Sequence, residues 1–134
     1  MTRLLLDTSA YSALMRGHRE IASALGEAAE VFLSVIVLGE LRAGFRKGSK
    51  SRQNEATLRQ FLDEPRVNVL EVDEETSWRY AAIHDELRRR GTPASVNDVW
   101  IAASAFQHGL RILTTDRDFR RIPQALVDFV EPST

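Results

Sequence analysis

The stretch that decides the fold runs from Arg3 to Ser9 and reads RLLLDTS. Its three consecutive leucines indicate a short strand that is buried on both faces, as the strands of parallel sheets are. The run ends at Asp7, and Asp7, Thr8 and Ser9 carry side chains that cap the first turn of a helix. The stretch therefore predicts a buried strand that passes directly into a helix, with an acidic residue at the junction.

The alternation of strand and helix continues along the chain. Strands that alternate with helices imply right-handed β-α-β crossovers and a mostly parallel sheet. We predict a three-layer α/β/α fold with about five strands, in a single domain over residues 1–134. The predicted strands are Arg3–Leu6, Val31–Val35, Val67–Val72, Arg111–Thr114 and Ala125–Val130, and the predicted helices are Ala10–Met15, His18–Ala29, Ile36–Arg46, Glu55–Asp63, Glu74–Arg90 and Asp98–His108, with Ser49–Asn54 as a loop or helix start.

The composition limits the classes of protein to which the chain can belong. Its 134 residues are 43% hydrophobic and 28% charged, the balance of a soluble globular protein. It has no cysteine, which excludes disulfides, a thiolate nucleophile and cysteine-ligated zinc, and which suits a reducing cytosol. The apolar run Leu4–Leu6 is too short for a signal peptide or a membrane span. We expect a cytoplasmic protein with no membrane association.

Four acidic residues, Asp7, Glu40, Asp98 and Asp116, follow or adjoin apolar runs. Ligands of open parallel sheets bind outside the carboxyl ends of the strands, and Asp7 and Asp116 follow predicted strands toward that edge. Glu40 lies about one turn into its predicted helix and Asp98 starts one, so either carboxylate can reach the same edge. Asp7 and Asp98 could also be simple helix caps and Asp116 a turn residue. Glu40 is harder to explain in this way, because it lies in an apolar stretch and carboxylates are rarely buried without a partner. Together they predict a metal site.

Four motifs carry a resemblance to a known family: LLLDTSAYSAL, SVIVLGELRAG, NDVWIAASA and ILTTDRDF. In their order and spacing they resemble the PIN-domain nucleases, and most closely the VapC-type ribonuclease toxins of toxin–antitoxin pairs. The resemblance extends from Leu4 to about Val130. It implies a PIN-like fold and a metal-dependent endoribonuclease whose partners are an RNA substrate, a VapB-type antitoxin and a second copy of the chain.

The resemblance also implies roles for the acidic residues. Asp7, Asp98 and Asp116 would be metal ligands, and Glu40 would bind metal directly or through water and orient the attacking water. Asp118 is an alternative to Asp116, which we prefer because it is nearer the strand end. Phosphodiester hydrolysis needs an activated water and neutralised phosphate charge, and a divalent cation supplies both. Because carboxylate oxygens are hard ligands, the expected cofactor is Mg²⁺ or Mn²⁺, as one or two ions.

Substrate contacts are predicted from hydroxyl and basic residues. Thr8, Thr115 and also Thr114 offer hydroxyls near the predicted site. The net charge is −1, yet 16 of the 18 basic residues are arginine and many lie in three patches. Arginine favours bidentate contact with phosphate, although each patch can equally be a solvated helix end. The patches are Arg42–Arg52, where Arg46, Lys47 and Lys50 are the predicted RNA contacts, Arg88–Arg90, and Arg117–Arg121.

Other residues receive structural interpretations. Asn97 is predicted to cap the helix that begins at Asp98. Trp78, Trp100 and Phe106 are predicted to pack in the core or form a dimer face. The scattered histidines His18, His84 and His108 are predicted to be surface or helix-end residues, since their spacing suggests no zinc site.

Three alternative functions remain. A PIN-like scaffold could bind RNA or protein without cutting it, and a structure-specific DNA nuclease could share the fold, although such nucleases usually carry additional segments. A phosphoacceptor signalling module also gathers acids around Mg²⁺, but it needs a lysine at the end of a late strand. Lys47 and Lys50 are the only lysines, and both lie in a predicted helix-end loop.

Overall fold

The computed structural model describes residues 2–132. Within this range there are five strands and six α-helices: a pair of helices follows each of the first three strands, and one 3₁₀ helix lies between the last two strands. In chain order the elements are β1 (Arg3–Leu6), α1 (Thr8–Met15), α2 (Arg19–Glu27), β2 (Glu30–Ser34), α3 (Val35–Lys47), α4 (Ser51–Leu62), β3 (Val67–Leu70), α5 (Glu74–Arg90), α6 (Val96–His108), β4 (Arg111–Thr114), the 3₁₀ helix (Arg117–Arg121) and β5 (Leu126–Phe129).

All strand pairs in the sheet are parallel, and the strand order is β3-β2-β1-β4-β5. From β1 the chain moves outward in one direction to β2 and β3, and it then returns to place β4 on the other side of β1. The strand order therefore reverses between β1 and β4. In open α/β sheets this position leaves a crevice at the carboxyl ends of the two strands.

Short polar residues start the helices around this crevice. The carboxylate of Asp7 accepts a hydrogen bond from the Ala10 amide at the start of α1, and the hydroxyl of Ser34 does the same for the Val37 amide in α3. At the start of α6, the Ser95 hydroxyl accepts from the Asp98 amide. These caps satisfy amides that a helix leaves without partners, so each turn from strand or loop into helix is fixed locally.

The core lies on both faces of the sheet. The central strands supply fully buried side chains, among them Leu5 and Leu6 of β1 and Ile112 of β4. On α6, small alanines such as Ala102 and Ala103 are completely buried, so this helix lies close to its neighbours. Burial of the central strands on both sides explains why they read as continuous apolar runs.

The predicted fold class is confirmed, and most predicted boundaries lie within about two residues of the observed ones. One boundary differs more: α4 begins at Ser51 rather than at Glu55, so the polar stretch left open as a loop or helix start is largely the start of this helix. Strand β3 ends at Leu70 rather than Val72. The predicted single domain includes Met1, Ser133 and Thr134, which lie outside the described residues. No helix within residues 2–132 combines the length and the apolarity needed to cross a bilayer.

Two of the three aromatic residues predicted to be in the core lie at the surface. Trp78 is 73% exposed and Phe106 is 47% exposed, so the core assignment was wrong for both. The buried residues of α5 lie on another face of the helix, and the Phe106 ring is covered by the Arg79 guanidinium at 5.0 Å. Trp100 is half-buried and stacks on Tyr80 with ring centroids 4.2 Å apart.

We expect Leu5→Ala to lower the free energy of unfolding by about 2–5 kcal/mol, because it leaves a cavity beneath a fully buried central strand. Leu126→Ala, on the edge strand β5 where the side chain is 53% exposed, is the matched control and should change stability far less. Urea unfolding of both variants measures the difference. Similar losses in the two variants would contradict the description of the core.

Candidate metal centre

The crevice between β1 and β4 collects acidic residues. Asp7 follows β1 immediately, and its amide donates a hydrogen bond to the Leu113 carbonyl of β4 at 3.3 Å. Asp116 comes two residues after the end of β4 and caps the 3₁₀ helix. Both acids therefore lie at the carboxyl edge of the sheet, on the two strands where the strand order reverses.

Asp7 is almost completely buried, with 3% of its surface exposed. One carboxylate oxygen accepts from the Ala10 amide and the Ser9 hydroxyl, both at 2.8 Å. The other oxygen accepts from the Thr114 hydroxyl at 2.7 Å and more weakly from Ser9. Burial raises the pKa of Asp7 to about 6 even though these hydrogen bonds lower it, and the charge of Asp116 adds to the rise.

Three further carboxylates form a tight cluster beside Asp7. Oxygen atoms of Asp98, Asp116 and Asp118 lie within 4.8 Å of one another, a spacing that allows them to share one cation. Asp116 Oδ1 also accepts a hydrogen bond from the Asp118 amide at 2.9 Å. The structure thus brings Asp116 and Asp118 into the same cluster. Both remain candidates for the fourth acidic residue of the predicted metal site.

Asp98 lies in the first turn of α6 and is partly buried. Burial is the main reason why the pKa of its carboxyl is raised to about 6, and the charges of Asp116, Asp7 and Glu40 raise it further. The Ser95 hydroxyl lowers the pKa of Asp98 but does not offset these effects. The negative charges in the crevice therefore repel one another and add to the cost of burying the ionised carboxylates.

Glu40 of α3 is held from two sides. Its Oε1 accepts a hydrogen bond from the Thr8 hydroxyl of α1, and its Oε2 accepts from the Asn97 side-chain amide of α6 at 3.1 Å. The prediction that Asn97 caps α6 was wrong, because Ser95 fills that position and Asn97 is already within the helix. Asn97 instead joins α6 to α3 and, with Thr8, fixes the direction of the Glu40 carboxylate.

The predicted hydroxyl residues take different positions. Thr8 donates to Glu40, and Thr114 is buried and donates to Asp7. The Thr115 amide donates to the Ser9 hydroxyl at 3.0 Å. The sequence analysis gave Ser9 no role beyond helix capping, yet its hydroxyl contacts Asp7 and Thr114 as well. The signal that could have indicated this is the position of Ser9 two residues after an acid at a strand end.

The predicted basic contacts Arg46, Lys47 and Lys50 are exposed and lie at the connection between α3 and α4. Both lysines of the sequence are therefore away from the carboxyl edge of β4 and β5. A phosphoacceptor module requires a lysine at the end of a late strand, and neither lysine of this chain is in that position.

The chemistry of the cluster fits a hard divalent cation. Every candidate ligand atom is a carboxylate oxygen, which is the donor that Mg²⁺ and Mn²⁺ prefer. Burial and neighbouring negative charges raise the pKa values of Asp7 and Asp98, and a bound cation would favour the ionised form of both carboxylates. Glu40 is held separately, by the hydrogen bonds that Thr8 and Asn97 donate to its two oxygens.

The fold of the chain has counterparts in a known family. The PIN domain family matches residues 4–125, and the chain belongs to that family. Its relatives include ribonuclease VapC4 of Mycobacterium tuberculosis, which is 36% identical over 71% of this chain and 73% of the relative. Ribonuclease VapC5 of the same organism is 32% identical over 90% of this chain and 87% of the relative. The resemblance predicted from the motifs is confirmed.

Solved structures of toxin–antitoxin complexes share the fold. VapBC2 from Rickettsia felis, bound to a promoter DNA fragment, contains a chain with a TM-score of 0.86 and 26% identity, covering 96% of this chain and 98% of that one. DNA-bound VapBC from Salmonella typhimurium gives a TM-score of 0.85 and 29% identity, with the same coverage. The sheet and helices that carry the acidic cluster therefore follow the architecture found in VapBC complexes.

We expect the metal-free protein to become more stable as the pH falls from 7 toward 5. Asp7 and Asp98 have folded-state pKa values of about 6, above the ordinary aspartate value of 3.8, so the folded state holds protons more tightly than the unfolded state. Their unfavourable contribution is complete above the folded pKa and disappears as the pH falls through 6 toward 4. Urea unfolding at pH 7, 6 and 5 with a chelator measures this trend.

Asp98→Asn provides the internal check on that trend, because it removes one of the repelling charges. The variant should be more stable than the parent at pH 7 without metal, and its stability should depend less on pH. Two results would contradict the raised pKa values of Asp7 and Asp98: a parent protein that loses stability between pH 7 and 5, or an Asp98→Asn variant that is less stable than the parent at pH 7.

Proposed function

We propose that the chain is a metal-dependent endoribonuclease and the toxin of a VapBC-type toxin–antitoxin pair. The observation that carries this proposal is the cluster of carboxylates in the crevice between β1 and β4, where Asp98, Asp116 and Asp118 approach within 4.8 Å. Relatives that cover most of this chain are named ribonucleases, which supports RNA as the substrate. The cofactor would be Mg²⁺ or Mn²⁺, as one or two ions.

In this proposal Asp98 and Asp116 are metal ligands, and Asp118 either joins them or replaces Asp116. Asp7 would be the remaining ligand, because it lies close enough to Asp98 and Asp116 for its charge to interact with theirs. A bound divalent cation supplies a water of lowered pKa and neutralises charge on the phosphate. The Asp7 carboxylate is also held by two elements, because the Ala10 amide of α1 and the Thr114 hydroxyl of β4 both donate hydrogen bonds to it.

Glu40 would act on the attacking water or on the substrate. Thr8 and Asn97 each donate to one of its oxygens, so the carboxylate is oriented before substrate binds. Each oxygen retains a lone pair that can accept a proton or a hydrogen bond from water. Pre-orientation of such a group avoids the need to order it during the reaction.

The partners follow from the same relationship. VapBC complexes with closely similar folds support a VapB-type antitoxin as the partner of this chain. We also propose a homodimer, for which the exposed Trp78 and Phe106 offer apolar surface, and one PIN domain over residues 1–134 acting in the cytoplasm. Sedimentation velocity of the purified chain tests the dimer, and a single monomeric species at micromolar concentration would contradict it.

The central experiment is cleavage of labelled single-stranded and hairpin RNAs in Mg²⁺ or Mn²⁺. We expect cleavage that a chelator abolishes and that Asp98→Asn or Asp7→Asn abolishes, because each variant removes a proposed ligand. Asp85→Asn, an acidic residue of α5 that pairs with Arg88 and Arg89, is the matched control and should cut normally. If folded Asp98→Asn cuts RNA as fast as the parent, the proposed metal site is wrong.

A second experiment tests the orientation of Glu40. Asn97→Ala removes the donor to Glu40 Oε2, and we expect turnover to fall about tenfold, the equivalent of about 1.4 kcal/mol. The KM for RNA and the unfolding midpoint should change little, because Asn97 is exposed. Gln60→Ala, which removes an exposed amide from α4, serves as the control. Unchanged turnover in Asn97→Ala would leave Asn97 without a role in positioning Glu40.

A further inference from the structure

A second charged feature lies away from the carboxylates, in the cleft between α3 and α4. The cleft has a volume of about 820 Å³. Four arginines line it, Arg42 and Arg46 from α3 and Arg52 and Arg59 from α4, whereas Glu55 is the only carboxylate in its wall within residues 2–132. The cleft therefore carries a large excess of positive charge although the whole chain has a net charge of −1.

Arg46 and Arg52 differ from most arginines of the chain, because neither pairs with a carboxylate in the described part of the chain. In the other arginine patches, Arg88 and Arg89 pair with Asp85, and Arg117 pairs with Glu131. Within the cleft, Glu55 is occupied by a two-point contact with Arg42, and Arg59 pairs with Asp63. Arg46 and Arg52 form no ion pair within residues 2–132.

The start of α4 adds to the attraction for an anion. Ser51, its first residue, lines the cleft. The preceding Lys50 makes no capping hydrogen bond, and the first turn holds Arg52 but no acidic residue. A helix N-terminus has unpaired amides and a partial positive charge, so cations there are unfavourable and anions are favoured. An anion in the cleft would satisfy these amides and the guanidinium groups together.

We propose that the α3–α4 cleft binds a phosphate group of the RNA backbone at a distance from the scissile bond. The inference rests on the proposed ribonuclease function. All four cations are arginines, whose planar forks match phosphate oxygens, and the half-buried Phe45 ring in the same wall offers an apolar face to a base. A negatively charged protein segment would meet the same guanidinium groups, and the experiment separates the two occupants.

The geometry of α3 places this cleft and the carboxylate centre on different sides of one helix. Arg42 follows Glu40 by two residues, which turns it about 200° around the helix axis. Lys47 follows Glu40 by seven residues and returns to the side of Glu40. Bound RNA would therefore cross α3, with Lys47 and Arg46 along its path from the centre to the cleft.

The experiment measures binding of a labelled single-stranded RNA to the full chain in a chelator, so that no cleavage occurs, at several salt concentrations. Arg46→Gln/Arg52→Gln should weaken binding about tenfold and should reduce the salt slope by roughly 0.7 for each phosphate that the variant no longer neutralises. The matched control, Arg88→Gln/Arg89→Gln, removes the same charge from arginines that are already paired with Asp85. It should change affinity less than twofold.

A third variant tests the sign of the effect. Glu55→Gln removes a negative charge from the cleft wall and releases Arg42, so RNA binding should become tighter. Misfolding would weaken RNA binding, so tighter binding would reflect the change in charge. Unfolding midpoints of all variants accompany the binding data. Equal losses in the cleft and control variants, or no tightening in Glu55→Gln, would overturn the proposal.

The other outcomes distinguish this inference from the proposed function. If the parent cuts RNA in Mg²⁺ and the cleft variant cuts with unchanged KM, the nuclease stands and the cleft proposal fails. If the parent binds RNA through the cleft but never cuts it, the nuclease proposal fails and the cleft stands. Unchanged RNA affinity together with weaker binding of an acidic peptide would assign the cleft to a protein ligand and overturn the proposal.

Discussion

The parallel pairing of β1 with β4 is the constraint on which the candidate site depends. It aligns Leu6 with Leu113, so that the chain leaves both strands at the same edge of the sheet. The next residues on the two sides, Asp7 and Thr114, then form a buried hydrogen bond of 2.7 Å. The reversal of strand order at this pair leaves the crevice open above them, which is where Asp116 lies.

The carboxylates in that crevice repel one another, and hydrogen bonds from neighbouring elements hold Asp7 and Glu40 in place. The pKa values of Asp7 and Asp98, both about 6, reflect burial combined with the nearby negative charges. Positive charge is in excess in the cleft between α3 and α4. Arg46 of α3 and Arg52 of α4 line this cleft and form no ion pair with the described residues. A metal ion in one place and a phosphate in the other would relieve both, and a metal-dependent nuclease brings these two groups together.

Local patterns in the sequence predicted the fold and two acidic positions, but they could not predict long-range contacts. The apolar strands with Asp7 and Asp116 at their ends follow from periodicity, whereas the family resemblance was needed to select Glu40 and Asp98. The hydrogen bond from Asn97 to Glu40 joins residues 57 apart and has no local signal. Neutralisation of the arginine patches depends on partners such as Glu131, and the exposure of Trp78 depends on which face of α5 packs inward.

The most direct test of the central claim is a crystal structure of the protein grown with Mn²⁺, in which anomalous scattering locates the ion. The account predicts a peak within coordination distance of the Asp98 carboxylate and of Asp116, Asp118 or both, next to the Asp7–Thr114 hydrogen bond. It also predicts that the peak disappears in Asp98→Asn crystals grown in the same way. A well-ordered structure with no manganese at these carboxylates, or with manganese bound only elsewhere, would contradict the claim that the crevice between β1 and β4 is a metal centre.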